Sequence, residues 1–177
     1  MSIIPQIIGL LAVAAFLLSY QLKKRSNIIF LNIVSRFLYI LQYLLLSAFS
    51  GAVFDILAAF SSVLASKKSS SFIQKYIKAI VAVINVCIVA TGAVIAYLNK
   101  SFLDLFALAG VLLEINALWL TGEKAIRWVS LFAAPFWFIY NYFSHAYGSA
   151  IGNIFTIISI IIAIIKYRNM KPEKDKE

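Results

Sequence analysis

The sequence is poor in cysteine, in charged residues and in the side-chain combinations that carry catalysis. Its single cysteine, Cys87, excludes an internal disulfide and a cysteine metal cluster. It contains no nucleophile–base–orienter pattern, no cluster of metal-ligating residues and no phosphate-binding glycine loop. We therefore predict that the chain is not an enzyme and that it holds no metal and no cofactor.

Hydrophobic residues are correspondingly abundant. They form 63% of the 177 residues and the mean hydropathy is +0.93, whereas soluble domains are about 45–50% apolar. Seven apolar segments of roughly 16–24 residues each have about the length of a membrane-spanning helix. Their limits are 3–21, 28–49, 51–66, 77–98, 103–121, 125–144 and 148–166. The sequence thus predicts an all-α membrane protein with seven transmembrane helices and the lipid bilayer as its partner.

The basic residues lie in every second connection between these helices. Of the 16 Lys and Arg residues, 14 follow helices 1, 3, 5 and 7, while Lys100 lies on the other side and Arg36 lies within helix 2. Cytoplasmic loops of membrane proteins are enriched in Lys and Arg. We therefore predict a multi-pass membrane protein with its N-terminus outside and its C-terminus in the cytoplasm. The net charge of +9 is explained in this way, without nucleic-acid binding.

Two stretches, SAFSGAVFDI at 47–56 and HAYGSAIGNI at 145–154, resemble each other at an offset of 98 positions. The offset superimposes Asp55 on Asn153. It also makes four further pairs: Tyr39 with Trp137, Gln42 with Tyr140, Tyr43 with Asn141, and Phe49 with Tyr147. Helices 1–3 and 5–7 are therefore predicted to be internal repeats, which in transporters usually frame a site near the bilayer midplane.

The helix count fixes how these repeats are related. A unit of three helices ends on the opposite side of the membrane from its start, and helix 4 returns the chain, so the two units are parallel. The predicted divisions are 1–68 for the first repeat, 69–100 for a polar connection and linker helix 4, 101–168 for the second repeat and 169–177 for a charged cytoplasmic tail.

Three charged residues, Arg36, Asp55 and Glu114, fall inside the predicted helices and away from their ends. Arg36 lies ~12 Å and Glu114 ~11 Å from the cytoplasmic helix ends, at about 1.5 Å per residue. Asp55 lies roughly one turn nearer the outside. Because charges in a bilayer usually face a bundle interior or a wet cavity, we expect Arg36 to pair with Glu114, with Asp55, or with both. A buried ion pair that only fixes packing is the alternative interpretation.

Polar and aromatic residues share faces with these charges. Arg36, Tyr39 and Tyr43 are spaced i, i+3, i+7 on helix 2, and Trp137 and Asn141 are spaced i, i+4 on helix 6. The predicted substrate-binding residues are therefore Arg36, Tyr39, Tyr43, Asp55, Glu114, Trp137, Asn141 and Asn153. A pocket of aromatic faces and polar tips suits a small polar solute, whereas simple packing or lipid contact is the alternative for each aromatic residue.

The segments SRFLYILQYLLLSAFSGAVFDILAAFSSVLAS and SLFAAPFWFIYNYFSHAYGSAIGNIFTIISIIIAIIKYR resemble the YgjV-type bacterial inner-membrane proteins. The resemblance extends over about residues 7–168 and implies an integral protein of the bacterial inner membrane, without implying a substrate. The layout of three, one and three helices is also similar to the SWEET, PQ-loop and PnuC-type transporters. In the SWEET group an asparagine on the third helix of each repeat contacts substrate, and Asp55 and Asn153 match that position.

Two functions are consistent with the sequence. A transporter or facilitator of a small polar metabolite predicts a cavity between the repeats and alternating access by rocking of one unit against the other. A non-transporting scaffold or accessory subunit predicts polar residues that pair with one another and leave no cavity. The sequence leaves open whether the chain forms a homodimer.

Overall fold

The computed structural model describes residues 3–19, 25–120 and 123–166, which are helical apart from short turns. The predicted tail 169–177 and the basic residues Lys23 and Lys24 lie outside the described residues. In the described part of the chain there are seven helices. They are α1 (Ile3–Ser19), α2 (Arg25–Leu45), α3 (Phe49–Ser66), α4 (Ser71–Asn99), α5 (Leu103–Trp119), α6 (Glu123–Phe143) and α7 (Tyr147–Lys166). The all-α prediction is confirmed.

Three of these helices, α3, α4 and α7, are long and apolar enough to cross a membrane. Two shorter apolar stretches, Ile3–Leu18 and Ile33–Leu45, lie in α1 and α2. Helix α5 has 17 residues, which corresponds to ~26 Å at about 1.5 Å per residue. A span without tilt needs about 20 residues. Helix α5 is therefore too short to be counted with α3, α4 and α7.

The largest difference from the predicted limits is at the start of α4. The segment KKSSSFIQKY was expected to be a polar connection, but the helix already begins at Ser71. Ser70 has an extended backbone conformation and lies just before the helix, as is usual for serine in that position. The first turns of α4 carry apolar residues at helical spacing, Phe72, Ile73, Tyr76 and Ile77, but polar residues separate them, so the continuous hydrophobic run placed the boundary too late.

Six helices form a closed cycle of contacts. Helix α1 packs on α2, α2 on α3, α3 on α5, α5 on α6, α6 on α7, and α7 returns to α1. Helix α4 lies outside this cycle against α5 and α3. It is tied to α5 by a reciprocal amide pair, in which Asn85 and Asn116 each donate to the other's Oδ1 at 3.1 and 2.7 Å.

The bundle has apolar side chains outside and polar ones inside. Phe30 and Phe37 are each 66% exposed, whereas Arg36, Asp55 and Gln42 are buried. Soluble monomers rarely expose large contiguous apolar surfaces, and charged residues in membrane helices face the bundle interior. The distribution is therefore that of helices surrounded by lipid.

The connections α2–α3 and α6–α7 have the same backbone geometry. Ser47 and His145 both adopt the left-handed conformation, with φ of 56° and 60°. In each connection the next amide, that of Ala48 or Ala146, donates at 2.8 Å to the carbonyl five residues earlier. This is the Schellman arrangement that ends a helix and satisfies its last carbonyls. Each turn therefore reverses the chain within a few residues.

Candidate functional site

A partly open cavity of about 230 Å³ lies inside the cycle of six helices. Side chains from α1, α2, α3, α5, α6 and α7 line it. The structure brings all eight predicted site residues to its wall: Arg36, Tyr39, Tyr43, Asp55, Glu114, Trp137, Asn141 and Asn153. The helical spacing on α2 and α6 therefore does direct these residues toward one space.

Arg36 bridges the two carboxylates. Its Nη1 donates to Oδ1 of Asp55 at 2.9 Å, and its Nη2 donates to Oε1 of Glu114 at 2.8 Å. The pairings that the sequence left open thus exist together, joining α2, α3 and α5. The side chains of Arg36 and Asp55 are each 6% exposed, and that of Glu114 is 26% exposed. Removing Arg36 would leave two carboxylates without their cation, which is strongly destabilising.

Glu114 is held from a second side. The indole N–H of Trp137 donates to its Oε2 at 3.0 Å. Because Trp137 belongs to α6, the charged cluster spans four helices. Both carboxylate oxygens of Glu114 are therefore oriented by donors, Oε1 by Arg36 and Oε2 by Trp137.

A second polar chain crosses the cavity nearer the turns. The hydroxyl of Tyr43 donates to Oδ1 of Asn141 at 2.6 Å, and Nδ2 of Asn141 donates to Oδ1 of Asn153 at 2.8 Å. Tyr43 and Asn141 are each only 2% exposed. Helices α2, α6 and α7 are connected in this way through side chains that also face the cavity.

Aromatic rings form much of the remaining wall. The rings of Tyr43 and Trp137 are stacked, with their centroids 6.5 Å apart and their planes inclined by 16°. Tyr39 and Phe16 also line the space. The cavity therefore combines aromatic faces with a few charged and amide groups, the usual composition of a small-molecule site.

The end of the cavity near the turns is closed by side chains that run between helices. Ser149 Oγ donates to Oε1 of Gln42. The hydroxyl of Tyr140 lies 2.8 Å from Ser50 Oγ and accepts the N–H of Gly51 at 2.8 Å. We call these two groups of contacts, Ser149 with Gln42 and Tyr140 with Ser50 and Gly51, the turn-end clasps. Both Gln42 and Tyr140 are at most 2% exposed, so these contacts are buried between the helices.

Exposure rises toward the opposite end. Leu118, near the end of α5, is 37% exposed, and Ile126 and Ser130 near the start of α6 are partly exposed. All three line the cavity. The cavity is partly open, and we call the end where α5 terminates and α6 begins, where these more exposed lining residues lie, its open end.

Several contributing residues were not among those predicted. They include the small hydroxyl residues Ser35, Ser130, Ser149 and Thr156 together with Phe16, which line the cavity, and Gln42 behind its wall. Serine and threonine are common in membrane helices and carry no distinctive pattern. Gln42 had a signal, since the offset of 98 pairs it with Tyr140, and these two residues form the clasps.

No group of three or more His, Cys, Asp or Glu side chains able to hold a metal ion is found within residues 3–19, 25–120 and 123–166. Arg36 Nε and Gln42 Nε2 are buried without a hydrogen-bond partner among the residues that the structure describes. Two donors are therefore available in or behind the wall.

A family of known proteins matches the chain. The family model Imp-YgjV, described as a bacterial inner membrane protein, matches residues 3–171. No curated protein and no solved structure matches the chain significantly. The match covers nearly the whole sequence, including every residue of the cavity.

Proposed function

Since the chain belongs to the Imp-YgjV family of bacterial inner membrane proteins, we propose that it transports a small polar metabolite across that membrane. In this proposal all seven helices cross the bilayer. Helices α1–α3 and α5–α7 are two parallel units, α4 joins them, and the solute binds between them.

The cavity is the observation that carries the proposal. At about 230 Å³ it far exceeds the ~10–15 Å³ that holds one water molecule, and it lies below the ~300–1,000 Å³ of pockets for drug-sized ligands. Polar and charged groups inside a membrane are costly and usually mark a substrate or ion pathway. A small polar solute accounts for both the size of the cavity and its lining.

The helix contacts support two related units. An exchange of α1 with α5, α2 with α6, and α3 with α7 converts the contact of α1 with α7 into that of α5 with α3. The same exchange converts the α2–α3 turn into the α6–α7 turn, whose left-handed residues Ser47 and His145 are 98 positions apart. Two units with matching contacts are a suitable framework for rocking motion.

The proposed orientation determines which side of the membrane each end of the cavity faces. With the N-terminus outside, the turn-end clasps face the exterior, and the open end lies beside the basic residues Lys124, Arg127 and Lys166. Basic residues concentrate on the cytoplasmic side. The cavity is then closed to the outside and accessible from the cytoplasm, which is one of the two states that alternating access requires.

A scaffold or accessory subunit is the second candidate, and one observation favours it. The polar groups pair with one another, Arg36 with Asp55 and Glu114, and Tyr43 with Asn141. A scaffold needs no more than this pairing. It does not account for the cavity beside the pairs, so we favour transport.

The test is the thermal stability of the purified protein against a library of sugars, nucleosides, vitamin precursors and amino acids. A ligand at 100 times its Kd stabilises the folded state by about 2.7 kcal/mol. We expect at least one stabilising compound, and loss of its effect in Asn153→Ala. Uptake of that compound into proteoliposomes then measures transport directly.

The matched control is Asn85→Ala. Asn85 also forms an amide–amide bond between helices, but it does not line the cavity. This variant should keep the ligand response. A folded wild-type protein that no compound stabilises, and that co-purifies with one other membrane protein, would instead support the scaffold.

A further inference from the structure

The charges on the cavity wall do not cancel. Among the described residues that line it, three are charged: Arg36, Asp55 and Glu114. One guanidinium therefore faces two carboxylates. Both terminal nitrogens of Arg36 are already occupied, one by each acid. The wall with all three groups ionised has one negative charge in excess.

An unbalanced charge in a low-dielectric site needs a partner, because burial of an isolated ion is very costly. A proton or a positively charged solute would supply it. An anionic solute would face two carboxylates and a single guanidinium that already donates to both of them. Arg36 also lies between Asp55 and Glu114, which hinders their convergence on one divalent metal ion.

The position of Glu114 indicates where a positive charge would lie. Its side chain is 26% exposed, against 6% for Asp55, so it is the carboxylate more open to an entering molecule. Trp137 donates to its Oε2 through the edge of the indole, and the aromatic rings of Tyr39 and Tyr43 line the same cavity. Aromatic faces attract cations through the ring quadrupole.

We propose that the cavity selects a small monovalent ammonium compound, with Glu114 as its counter-charge and the aromatic wall around its charged end. This inference rests on the proposed function and narrows its substrate class. The volume of about 230 Å³ limits the solute to a small molecule. The sign of the charge is the specific claim, and it follows from the number of carboxylates against the number of cations on the wall.

The experiment compares cations with uncharged molecules of the same shape. Ethanolamine and choline are titrated beside their carbon isosteres, propan-1-ol and 3,3-dimethylbutan-1-ol, and beside the anion glycolate. Binding is measured by calorimetry and thermal stability at low ionic strength, where charge interactions are least screened. We expect at least one ammonium probe to bind at least ~10-fold more tightly than its isostere, equal to about 1.4 kcal/mol.

Glu114→Gln should remove that preference, because it removes the excess charge and keeps an oxygen acceptor. The matched control is Asp104→Asn, the same carboxylate-to-amide change on the same helix. Asp104 accepts a hydrogen bond from Asn99 at 2.9 Å and does not line the cavity. Its replacement should leave the cation preference unchanged. The comparison of isosteres on the wild-type protein stands even where Glu114→Gln does not fold.

The outcomes separate this inference from the proposed function. Equal binding of a cation and its isostere, or an anionic or uncharged hit in the metabolite library with no response to either ammonium probe, overturns the cation preference and leaves transport standing. A folded protein that binds no solute of any charge overturns both. Unchanged preference in Glu114→Gln overturns the role of Glu114 as counter-charge.

Discussion

Tyr43 and Asn141, which the offset of 98 positions pairs with each other, are hydrogen-bonded at 2.6 Å. Residues related by an approximate two-fold axis meet one another only where they lie on that axis. The bond therefore marks the place where the two proposed units face each other. The charged cluster and the turn-end clasps lie on either side of it along the bundle.

Replacement of Tyr43 by phenylalanine should destabilise the protein. The change removes the donor to Oδ1 of Asn141, which is 2% exposed, and an unsatisfied buried polar group costs about 1–3 kcal/mol. Thermal unfolding in detergent measures the effect. Tyr97→Phe is the control, because Tyr97 is 81% exposed and should change the unfolding temperature little. Equal effects of the two variants would contradict the importance of the buried bond.

Loss of Arg36 should destabilise the protein more than loss of Asp55, one of the two acids with which it pairs. Arg36→Met leaves two carboxylates without their cation, and breaking a buried pair costs about 3–5 kcal/mol. Asp55→Asn leaves Arg36 paired with Glu114, a neutral combination, so we expect a smaller loss. The unfolding temperatures of the two variants and of their combination give the coupling. The reverse order of stabilities would show that the bridge is not the dominant interaction.

Close approach of α7 to α1 should make Gly148 sensitive to substitution. A Cβ at this position would lie 2.6 Å from the backbone oxygen of Gln6, so the two helices must separate. A Cβ at Gly92 would instead meet the flexible end of Leu108, at 2.7 Å. Overpacking typically costs about 1–3 kcal/mol, and we expect Gly148→Ala to be the more destabilised in thermal unfolding. Equal losses would mean that α1 adjusts readily.

The orientation can be tested with single cysteines in a Cys87→Ser background. Lys100 and Lys75 are both exposed and lie at opposite ends of α4. We expect Lys100→Cys to react with a membrane-impermeant maleimide in intact spheroplasts, and Lys75→Cys to react only after permeabilisation. The opposite labelling pattern would invert the orientation, and the open end of the cavity would then face outward.

Much of the architecture could be predicted from the sequence because two of its patterns are strong. Apolar runs set the number of helices, and the i, i+3, i+7 spacing of Arg36, Tyr39 and Tyr43 set their common face. The start of α4 was placed too late, since the limit followed the continuous apolar run and passed over the serine at the start of the helix, Ser70, and the amphipathic turns after it.

Contacts between distant helices were less accessible. Whether Arg36 pairs with Asp55 or Glu114 depends on where α3 and α5 pack, which no local pattern encodes. The bond of Ser149 to Gln42 has the same character. The offset of 98 singled out Gln42 and Tyr140 as equivalent positions, but it gave no partner for either.

The turn-end clasps are crossed, and this has a mechanical consequence. Gln42 on α2 holds the first turn of α7, while Tyr140 on α6 holds the first turn of α3. Each clasp thus joins one proposed unit to the other, and neither clasp lies within a single unit. In the proposed rocking motion, a rigid rotation of one unit against the other would strain both clasps at the same time. The outer end of the cavity would then open in one cooperative step, without an intermediate in which only one clasp is broken.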